Sequence, residues 1–317
     1  MEFNFSEGPY SGMSTPRNEF PALLTYADAS ERMWGLPEHE IFLGVDGEGG
    51  AITWDMGADS PHALISAGSG AGKSVTARSI ATQALAKGAT VVILDAKRHS
   101  HRWAKNLPGV HYACTMPEIG NALVSVAAEL HRRNEVVEDW PGEVETAPVG
   151  PRIVLIFEEM NATMDSLADL DKQQSRGAYT CAQAHKDILF LGRAAKINEV
   201  AISQYAADRG VLSPALRENF GVRILIAHTW ETWNALVPRA GRAGGAPAAP
   251  TAKGRGYVVV KGKATETQLL LIDEEMAAHL VRGRESQQER PRQSRRQQRR
   301  QARRATAATA RATGRTV

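Results

Sequence analysis

A run of small residues that ends in a lysine and a serine could bind the phosphates of a nucleotide. The run and the residue after it read Ala67-Gly68-Ser69-Gly70-Ala71-Gly72-Lys73-Ser74-Val75. Small residues let successive backbone N–H groups surround a phosphate, the lysine reaches the outer phosphates of ATP, and the following hydroxyl is a ligand for Mg²⁺. Alanine replaces the first glycine of the usual pattern, a change that a strand end tolerates. The spacing therefore predicts a P-loop that binds ATP and Mg²⁺.

Two adjacent carboxylates provide the second part of such a site. Glu158 and Glu159 follow the apolar run Ile153–Phe157, about 85 residues after the loop. We expect Glu158 to hold Mg²⁺ together with Ser74, and Glu159 to act as the general base toward water. The reverse assignment, with Glu158 as the base, stays open at this point.

A polar residue at a third strand end completes the predicted site. Gln204 follows the apolar run 199–203. An amide there would sense the γ-phosphate or orient water, and ordinary solvation of a strand end is the alternative. Asp95 and Lys97 close another apolar run, and we assign their charges to the stabilisation of neighbouring loops or subunit contacts.

The elements that must position these residues alternate along the chain. Apolar runs typical of strands alternate with helical periods of sufficient length to act as crossovers, which predicts an α/β fold with a doubly wound, mainly parallel sheet. The strand-like runs are 63–66, 90–94, 152–157, 199–203 and 222–227, and the helical patterns are 74–87, 117–138 and 177–196. A short helix near 26–34, an N-terminal β-hairpin over 41–55 and a closing hairpin, 257–260 with 268–272, are also predicted.

The chain is predicted to consist of three segments, of which the last is distinguished by its charge. Residues 1–38 are expected to be loosely ordered, 39–280 to form the ATPase domain, and 281–317 to form a disordered tail. The tail holds 12 Arg and two Glu, a net charge of +10, so the other 280 residues carry −7 of the total +3. Clustered arginine of this kind is typical of a segment that binds a polyanion, and a purely solubilising role is the alternative.

Composition excludes several classes of protein. With 43% hydrophobic residues the chain is not a disordered polymer, and its apolar runs are far shorter than a bilayer requires. The N-terminus lacks the pattern of a secretion signal, and two cysteines provide no disulfide framework. We therefore expect a cytoplasmic protein without an integral membrane segment.

Further motifs resemble the motor domain of the FtsK/SpoIIIE family of double-stranded DNA translocases, within the HerA/FtsK group of ring ATPases. The resemblance covers residues 41 to 272. Beyond the P-loop, the matching motifs are Leu43-Gly44-x-Asp46, Pro61-His62, Asp95-x-Lys97, Gly192-Arg193-Ala194-Ala195, Ser203-Gln204, Asn219 with Arg223-Ile224, and Gly254-x-Gly256. Glu158 stands where the family has aspartate, and Tyr205 where it has a basic residue.

The resemblance implies a RecA-like fold and a hexameric ring of identical subunits around duplex DNA. It also implies ATP at the subunit interfaces and an arginine that acts on the neighbouring subunit's nucleotide. Arg223 is the first candidate for that arginine, followed by Arg217 and Arg193, with a structural role as the alternative for each.

The resulting hypothesis is an ATP hydrolase that binds and translocates double-stranded DNA. The pattern is similar to short FtsK-like ATPases of plasmids and phages, which indicates a role in DNA transfer or chromosome partition. Two alternatives stay open: a DNA-binding regulator that uses ATP as an assembly signal, and an ATPase that drives protein or virion assembly.

Deletion of residues 282–317 is predicted to weaken DNA binding and leave basal ATP turnover unchanged. If about half of the 12 arginines contact phosphate, the slope of log affinity against log salt becomes shallower by roughly 5. The loss should not depend on DNA sequence, because a flexible arm cannot aim its side chains at base edges. A salt titration of duplex binding checks this. An unchanged slope with loss of ring assembly would instead make the tail a contact between subunits.

Overall fold

Eleven strands and eight α-helices form the described part of the chain, which in this computed structural model comprises residues 20–68, 70–173, 178–204, 213–238 and 245–283. The strands are β1 (Leu24–Thr25), β2 (Glu40–Val45), β3 (Ala51–Asp55), β4 (Ala63–Ala67), β5 (Thr90–Leu94), β6 (Val110–Ala113), β7 (Ile153–Phe157), β8 (Ile197–Ser203), β9 (Val222–Ile226), β10 (Arg255–Val260) and β11 (Lys263–Leu271). The helices are α1 (Tyr26–Gly35), α2 (Lys73–Ala86), α3 (Met116–Glu138), α4 (Met160–Asp171), α5 (Cys181–Leu191), α6 (Pro214–Arg217), α7 (Trp230–Leu236) and α8 (274–283).

The strands form one sheet with a parallel half and an antiparallel half. Their order is β3-β2-β11-β10-β9-β4-β8-β7-β5-β6, and β1 pairs with β11 in parallel. The six strands from β9 to β6 are mutually parallel, whereas β10, β11, β2 and β3 continue the sheet in antiparallel pairing. The predicted fold class, an α/β protein with a doubly wound and mainly parallel sheet, is confirmed.

Hydrophobic clusters cover both faces of the sheet. Successive side chains of a strand point to opposite faces, and β7 follows this rule: Val154 and Ile156 join one cluster, Leu155 and Phe157 the other. Helices α1, α2 and α8 contribute to the first cluster, and α3, α4, α5 and α7 to the second. Because both faces are covered, the parallel strands are apolar along almost their whole length.

The strand order brings the predicted chemistry to one edge of the sheet. β8 lies between β4 and β7, so the strand that precedes Gln204 separates the P-loop strand from the strand that precedes Glu158. β5, which precedes Asp95, pairs with β7 on its other side. Since these strands are parallel, all four of their carboxyl ends lie along the same edge.

Most predicted elements are confirmed, and six elements of the described residues were not predicted: β1, β6, α4, α6, α7 and α8. The short N-terminal helix, both hairpins and the five predicted strands are present with small shifts in their bounds. β6 was missed because it is a short edge strand with one fully buried residue, Ala113. α4 was missed although its buried residues Met160, Thr163, Met164 and Leu167 keep a helical period, because it follows β7 without a capping side chain.

The predicted helix over 177–196 is shorter at both ends. Thr180 accepts a hydrogen bond from the backbone N–H of Gln183 and forms a capping box with it, so α5 begins at Cys181. The helix ends at Leu191, and a Cβ built at the following residue, Gly192, would lie 2.5 Å from the carbonyl oxygens of Ile188 and Ile197. That close approach requires glycine and directs the chain into β8.

The ends of the chain are described in part. Helix α8 includes residues 281–283 of the predicted tail, and Val281 is buried. The rest of that tail, residues 1–19 and residues 239–244 lie outside the described residues. Among the helices of the described ranges, none combines the length and apolar character that crossing a bilayer requires.

Polar side chains attach the P-loop helix α2 to the antiparallel half of the sheet. Gln83 donates to the Phe42 carbonyl oxygen at 2.9 Å and accepts from the Phe42 N–H at 3.0 Å. Ser79 Oγ donates to Leu270 O at 2.9 Å and accepts from Ile272 N at 3.1 Å. Arg78 Nε donates to Ile272 O at 2.9 Å. These bonds fix α2, and with it the P-loop, relative to β2 and β11.

Substitution Gln83→Met is predicted to destabilise the fold by about 2–4 kcal/mol, because it leaves the buried N–H and C=O of Phe42 without their side-chain partner. Chemical denaturation followed by circular dichroism measures the change. Gln173→Met, at an exposed position, is the matched control and should shift stability by less than about 0.5 kcal/mol. Equal stability of the two variants would contradict the proposed anchor.

Candidate active site

The loop between β4 and α2 has the geometry of a phosphate cradle. Gly70 and Gly72 have φ of 74° and 108°, a region that glycine enters without steric cost, and Gly72 caps α2. Apart from the glycine itself and its two neighbours in the loop, no heavy atom of the described residues lies within 4 Å of a Cβ built at Gly68, Gly70 or Gly72. The loop therefore leaves room for a phosphate at a helix N-terminus. Ser69, assigned to the same loop, lies outside the described residues.

Lys73 lies at the first position of α2 and folds back over the loop. Its Nζ donates hydrogen bonds to the carbonyl oxygens of Ala67 and Gly68, both at 2.9 Å. Burial lowers the pKa of Lys73, and the positive charge of Lys97 adds to this effect, whereas Glu159 and Glu158 oppose it. The two carboxylates and Lys97 thus act electrostatically on the P-loop lysine, as members of one site should.

Glu159 lies between two donors. Its Oε1 accepts from Lys97 Nζ at 2.6 Å and from Gln204 Nε2 at 2.6 Å. The backbone of Glu159 has a φ of 46°, which is uncommon for residues other than glycine and asparagine, and Glu159 is the N-cap of α4. The Gln204 amide therefore contacts the carboxylate expected to be the general base.

Glu158 is buried more deeply than Glu159. Its side chain is 1% exposed, against 15% for Glu159. Its Oε1 lies 3.5 Å from Lys97 Nζ, and its Oε2 lies 3.0 Å from His101 Nε2. Burial raises the pKa of Glu158, but the interactions with His101 and Lys97 outweigh that effect and leave the pKa below its usual value. Glu158 is therefore a charged carboxylate at the base of the site.

These residues fit Mg²⁺ and ATP. Mg²⁺ prefers oxygen ligands and is usually bound by one or two protein groups together with substrate phosphates. The Ser74 hydroxyl lies in the first turn of α2, and Glu158 supplies an ionised carboxylate. Glu159, the more exposed carboxylate, has better access to water, which favours it as the base.

A cleft of about 580 Å³ lies beside the P-loop and has room for the rest of a nucleotide. Most of its lining is apolar and includes Ala71, Val75 and Ile226. Leu23 and residues 250–255 also line it. Apolar walls suit a nucleobase. The contributions of Leu23 and of 250–253 had no motif in the sequence that could have identified them.

Two further side chains of the site were not assigned to it from the sequence. Lys97 was expected to stabilise loops, yet it contacts both glutamates. Partial burial lowers the pKa of Lys97, but its bonds to Glu159 and Glu158 outweigh this and leave the pKa above its usual value. No pattern in the sequence indicates that His101 belongs to the site, because its contact with Glu158 joins residues 57 positions apart.

The expected role of Arg223 as an arginine acting on a neighbouring subunit conflicts with its environment. Its guanidinium donates to the carbonyl oxygens of Phe220, Leu236 and Arg217 at 3.0, 2.7 and 3.1 Å, and its side chain is 7% exposed. In the pairing of β9 with β4, Arg223 lies opposite Leu64, three residues before the end of β4 that leads into the P-loop. These contacts bind Arg223 to backbone groups of its own subunit and favour the structural alternative.

Comparison with known proteins supports the predicted resemblance. The family model described as the central domain of the helicase HerA matches residues 47–106, a range that includes the P-loop, Lys97 and His101. No curated protein matches the chain. The resemblance to the HerA/FtsK group, inferred above from motifs, is confirmed.

Solved structures share the fold at low sequence identity. The pCW3 conjugation coupling protein TcpA, in a monomer form with ATPγS, aligns with a TM-score of 0.66 and 20% identity over 84% of this chain and 75% of TcpA. The cytoplasmic domain of the type VII secretion ATPase EccC from Thermomonospora curvata gives 0.57 and 16%, over 85% of this chain and 33% of EccC. EssC (ATPases 2 and 3) from Geobacillus thermodenitrificans gives 0.60 and 14%, over 79% and 49%.

Substitution Lys73→Ala is predicted to reduce ATP turnover by about 10²–10³-fold, because it removes the cation that would bind the outer phosphates. The melting temperature should stay close to that of the unmodified protein. A phosphate-release assay measures turnover. Lys172→Ala, which removes a lysine that is 76% exposed, is the control and should behave like the unmodified protein. Near-normal turnover of Lys73→Ala would contradict the assignment of the P-loop.

Proposed function

We propose that this protein is an ATP hydrolase that binds and translocates double-stranded DNA as a ring of identical subunits, in plasmid or phage DNA transfer or in chromosome partition. The observation that supports it best is the meeting of Lys73, Glu158, Glu159 and Gln204 at one edge of the sheet. A phosphate cradle, a buried anion, a more exposed carboxylate and an amide are the groups that phosphoryl transfer to water requires. A cytoplasmic location is part of the proposal.

Lys73 would bind the outer phosphates of ATP. To do so, its ammonium exchanges the carbonyl oxygens of Ala67 and Gly68 for phosphate oxygens. The backbone N–H groups of residues 68–74 and the N-terminus of α2 would bind the β-phosphate. Ser74 and Glu158 would hold Mg²⁺, which when bound shields the negative charge of the phosphates.

Glu159 would accept a proton from the attacking water. Both of its donors, Lys97 and Gln204, contact the same oxygen, Oε1. The other carboxylate oxygen, Oε2, would accept the proton from the water. Gln204 is well placed to change partner, because an amide can donate to the γ-phosphate or accept from the water. The contact between Gln204 and Glu159 would therefore couple the state of the γ-phosphate to the base.

A ring would need a cation that reaches the neighbouring subunit's nucleotide. With Arg223 bound to carbonyl groups of its own subunit, Arg193 is the more accessible candidate, since its side chain is 46% exposed and pairs with Asp59 and Glu145 at the surface. Surface ion pairs of this kind contribute little stability and are exchanged readily.

DNA as the partner is supported by charge and by one structural relative. The residues 281–317 carry +10 in a chain of net +3. The coupling protein TcpA, which has the same fold, is described as acting in conjugation. A basic segment next to an ATPase domain suits a phosphate backbone, whose counterions are released on binding.

ATP turnover measured with and without linear duplex DNA tests the proposed function. We expect duplex DNA to stimulate turnover, and triplex displacement to report movement along it.

Glu159→Gln keeps the shape of the side chain but removes the base, so it should bind ATP, hydrolyse it about 10²–10⁴-fold more slowly and stay assembled on DNA.

Glu158→Gln is the matched comparison, because it makes the same change one residue earlier. It should weaken the Mg²⁺ dependence of nucleotide binding. If Glu158→Gln instead gives the trapped, assembled state while Glu159→Gln stays active, the two roles are reversed.

Turnover that does not respond to DNA would contradict the motor and favour an ATPase that drives protein assembly. DNA binding that depends on ATP without triplex displacement would favour a regulator.

A further inference from the structure

We propose that His101 is a positioning residue for Glu158: it fixes one carboxylate oxygen so that the other faces the cation of the nucleotide. The inference rests on the proposed ATP hydrolysis and adds a residue for which no role was predicted from the sequence. It also explains how glutamate can stand where the related ATPases have aspartate. Glutamate has one more methylene and one more rotatable bond, so its carboxylate needs an additional contact to be held in one place.

The contact between the two side chains is short and fully buried. His101 Nε2 lies 3.0 Å from Glu158 Oε2, and each side chain is 1% exposed. An ionised carboxylate can only accept hydrogen bonds, so Nε2 carries the proton and donates it. A buried charge without such a donor is costly, which makes this bond a strong constraint on the rotamer of Glu158.

His101 is itself held by the loop that follows β5. Its backbone N–H donates to Asp95 Oδ2 at 3.0 Å, and its carbonyl oxygen accepts from Ala104 N at 3.0 Å, where the 3₁₀ helix Arg102–Ala104 begins. Tyr112 OH donates to the same Asp95 oxygen at 2.8 Å. Asp95 is fully buried. The backbone that carries the imidazole is therefore held by contacts that do not involve Glu158.

Lys97, the other partner of Glu158, cannot fix the carboxylate as well. Its Nζ is 3.5 Å from Glu158 Oε1 but 2.6 Å from Glu159 Oε1, so its closer bond is to the other glutamate. Its side chain is 35% exposed, on a flexible stem. The two oxygens of Glu158 thus differ in role. Oε2 is fixed by His101, and Oε1 is the oxygen left on the side of Lys97 and Glu159 for a cation.

Two amide substitutions at position 101 test the inference. The glutamine of His101→Gln can place an N–H near the position of Nε2, whereas the shorter asparagine of His101→Asn cannot reach Glu158. Both are neutral and polar, so a change in fold alone should affect them similarly. His99→Asn, in the same loop at an exposed position, is the matched control.

The first readout is binding of ATPγS, followed by calorimetry, as a function of Mg²⁺ concentration and in EDTA. Loss of an outer partner of a metal ligand typically lowers metal affinity or activity by about 10–100-fold. We expect His101→Asn to raise the Mg²⁺ concentration for half-maximal enhancement by about 10-fold or more. Binding in EDTA should stay within about twofold of the unmodified protein, and His101→Gln should recover most of the Mg²⁺ response. ATP turnover, the second readout, should follow the same order.

A Mg²⁺ response of His101→Asn that equals that of His99→Asn would overturn the inference. So would equal losses in His101→Asn and His101→Gln, or a loss of His101→Asn binding in EDTA as large as its loss in Mg²⁺, because each of these indicates a structural role. The outcome is separable from that of the proposed function: an unmodified protein that binds ATPγS with Mg²⁺ but does not hydrolyse ATP would refute the hydrolase and leave the test of His101 intact.

Discussion

A carboxylate that is 1% exposed keeps its negative charge only if protein groups replace the water it has lost, and Glu158 depends on two such groups. His101 and Lys97 both come from the segment after β5, and Glu158 follows the neighbouring strand β7. The parallel pairing of these two strands is therefore a requirement of the site as well as of the fold. If β7 and β5 were not neighbours, the buried anion would lack its partners.

The P-loop depends on a second constraint, which lies on the opposite half of the sheet. Helix α2 is buried on nearly all sides, so its position cannot be set by one apolar face packed against a core. Gln83, Ser79 and Arg78 instead bind backbone groups of β2, β11 and the residue after β11. The antiparallel half of the sheet thus holds the helix whose N-terminus follows the P-loop. This explains why an N-terminal hairpin and a C-terminal hairpin flank an otherwise parallel fold.

Between these two anchors, the remaining groups of the site can change partners. Lys73 is bound to the carbonyl groups of its own loop, and Glu159 accepts from Lys97 and Gln204 through a single oxygen. Each of these bonds joins groups that a phosphate or a water could also bind. The site therefore combines a fixed carboxylate, Glu158, with a lysine, a second carboxylate and an amide that can exchange their partners. That division suits a reaction cycle in which the nucleotide is bound, hydrolysed and released.

The sequence by itself determined the local chemistry and the type of each main element. The P-loop is contiguous, so Lys73 and Ser74 are recognisable from spacing, and alternating apolar runs specify parallel strands without knowledge of their order. Only the tertiary structure decided which loops meet. The contact of His101 with Glu158 joins residues 57 positions apart, and its existence depends on the pairing of β5 with β7 and on a 3₁₀ turn that carries no strong pattern. Arg223 illustrates the same limit, because its motif predicted a partner outside the subunit, while the carbonyl groups that bind it come from segments whose approach no local pattern encodes.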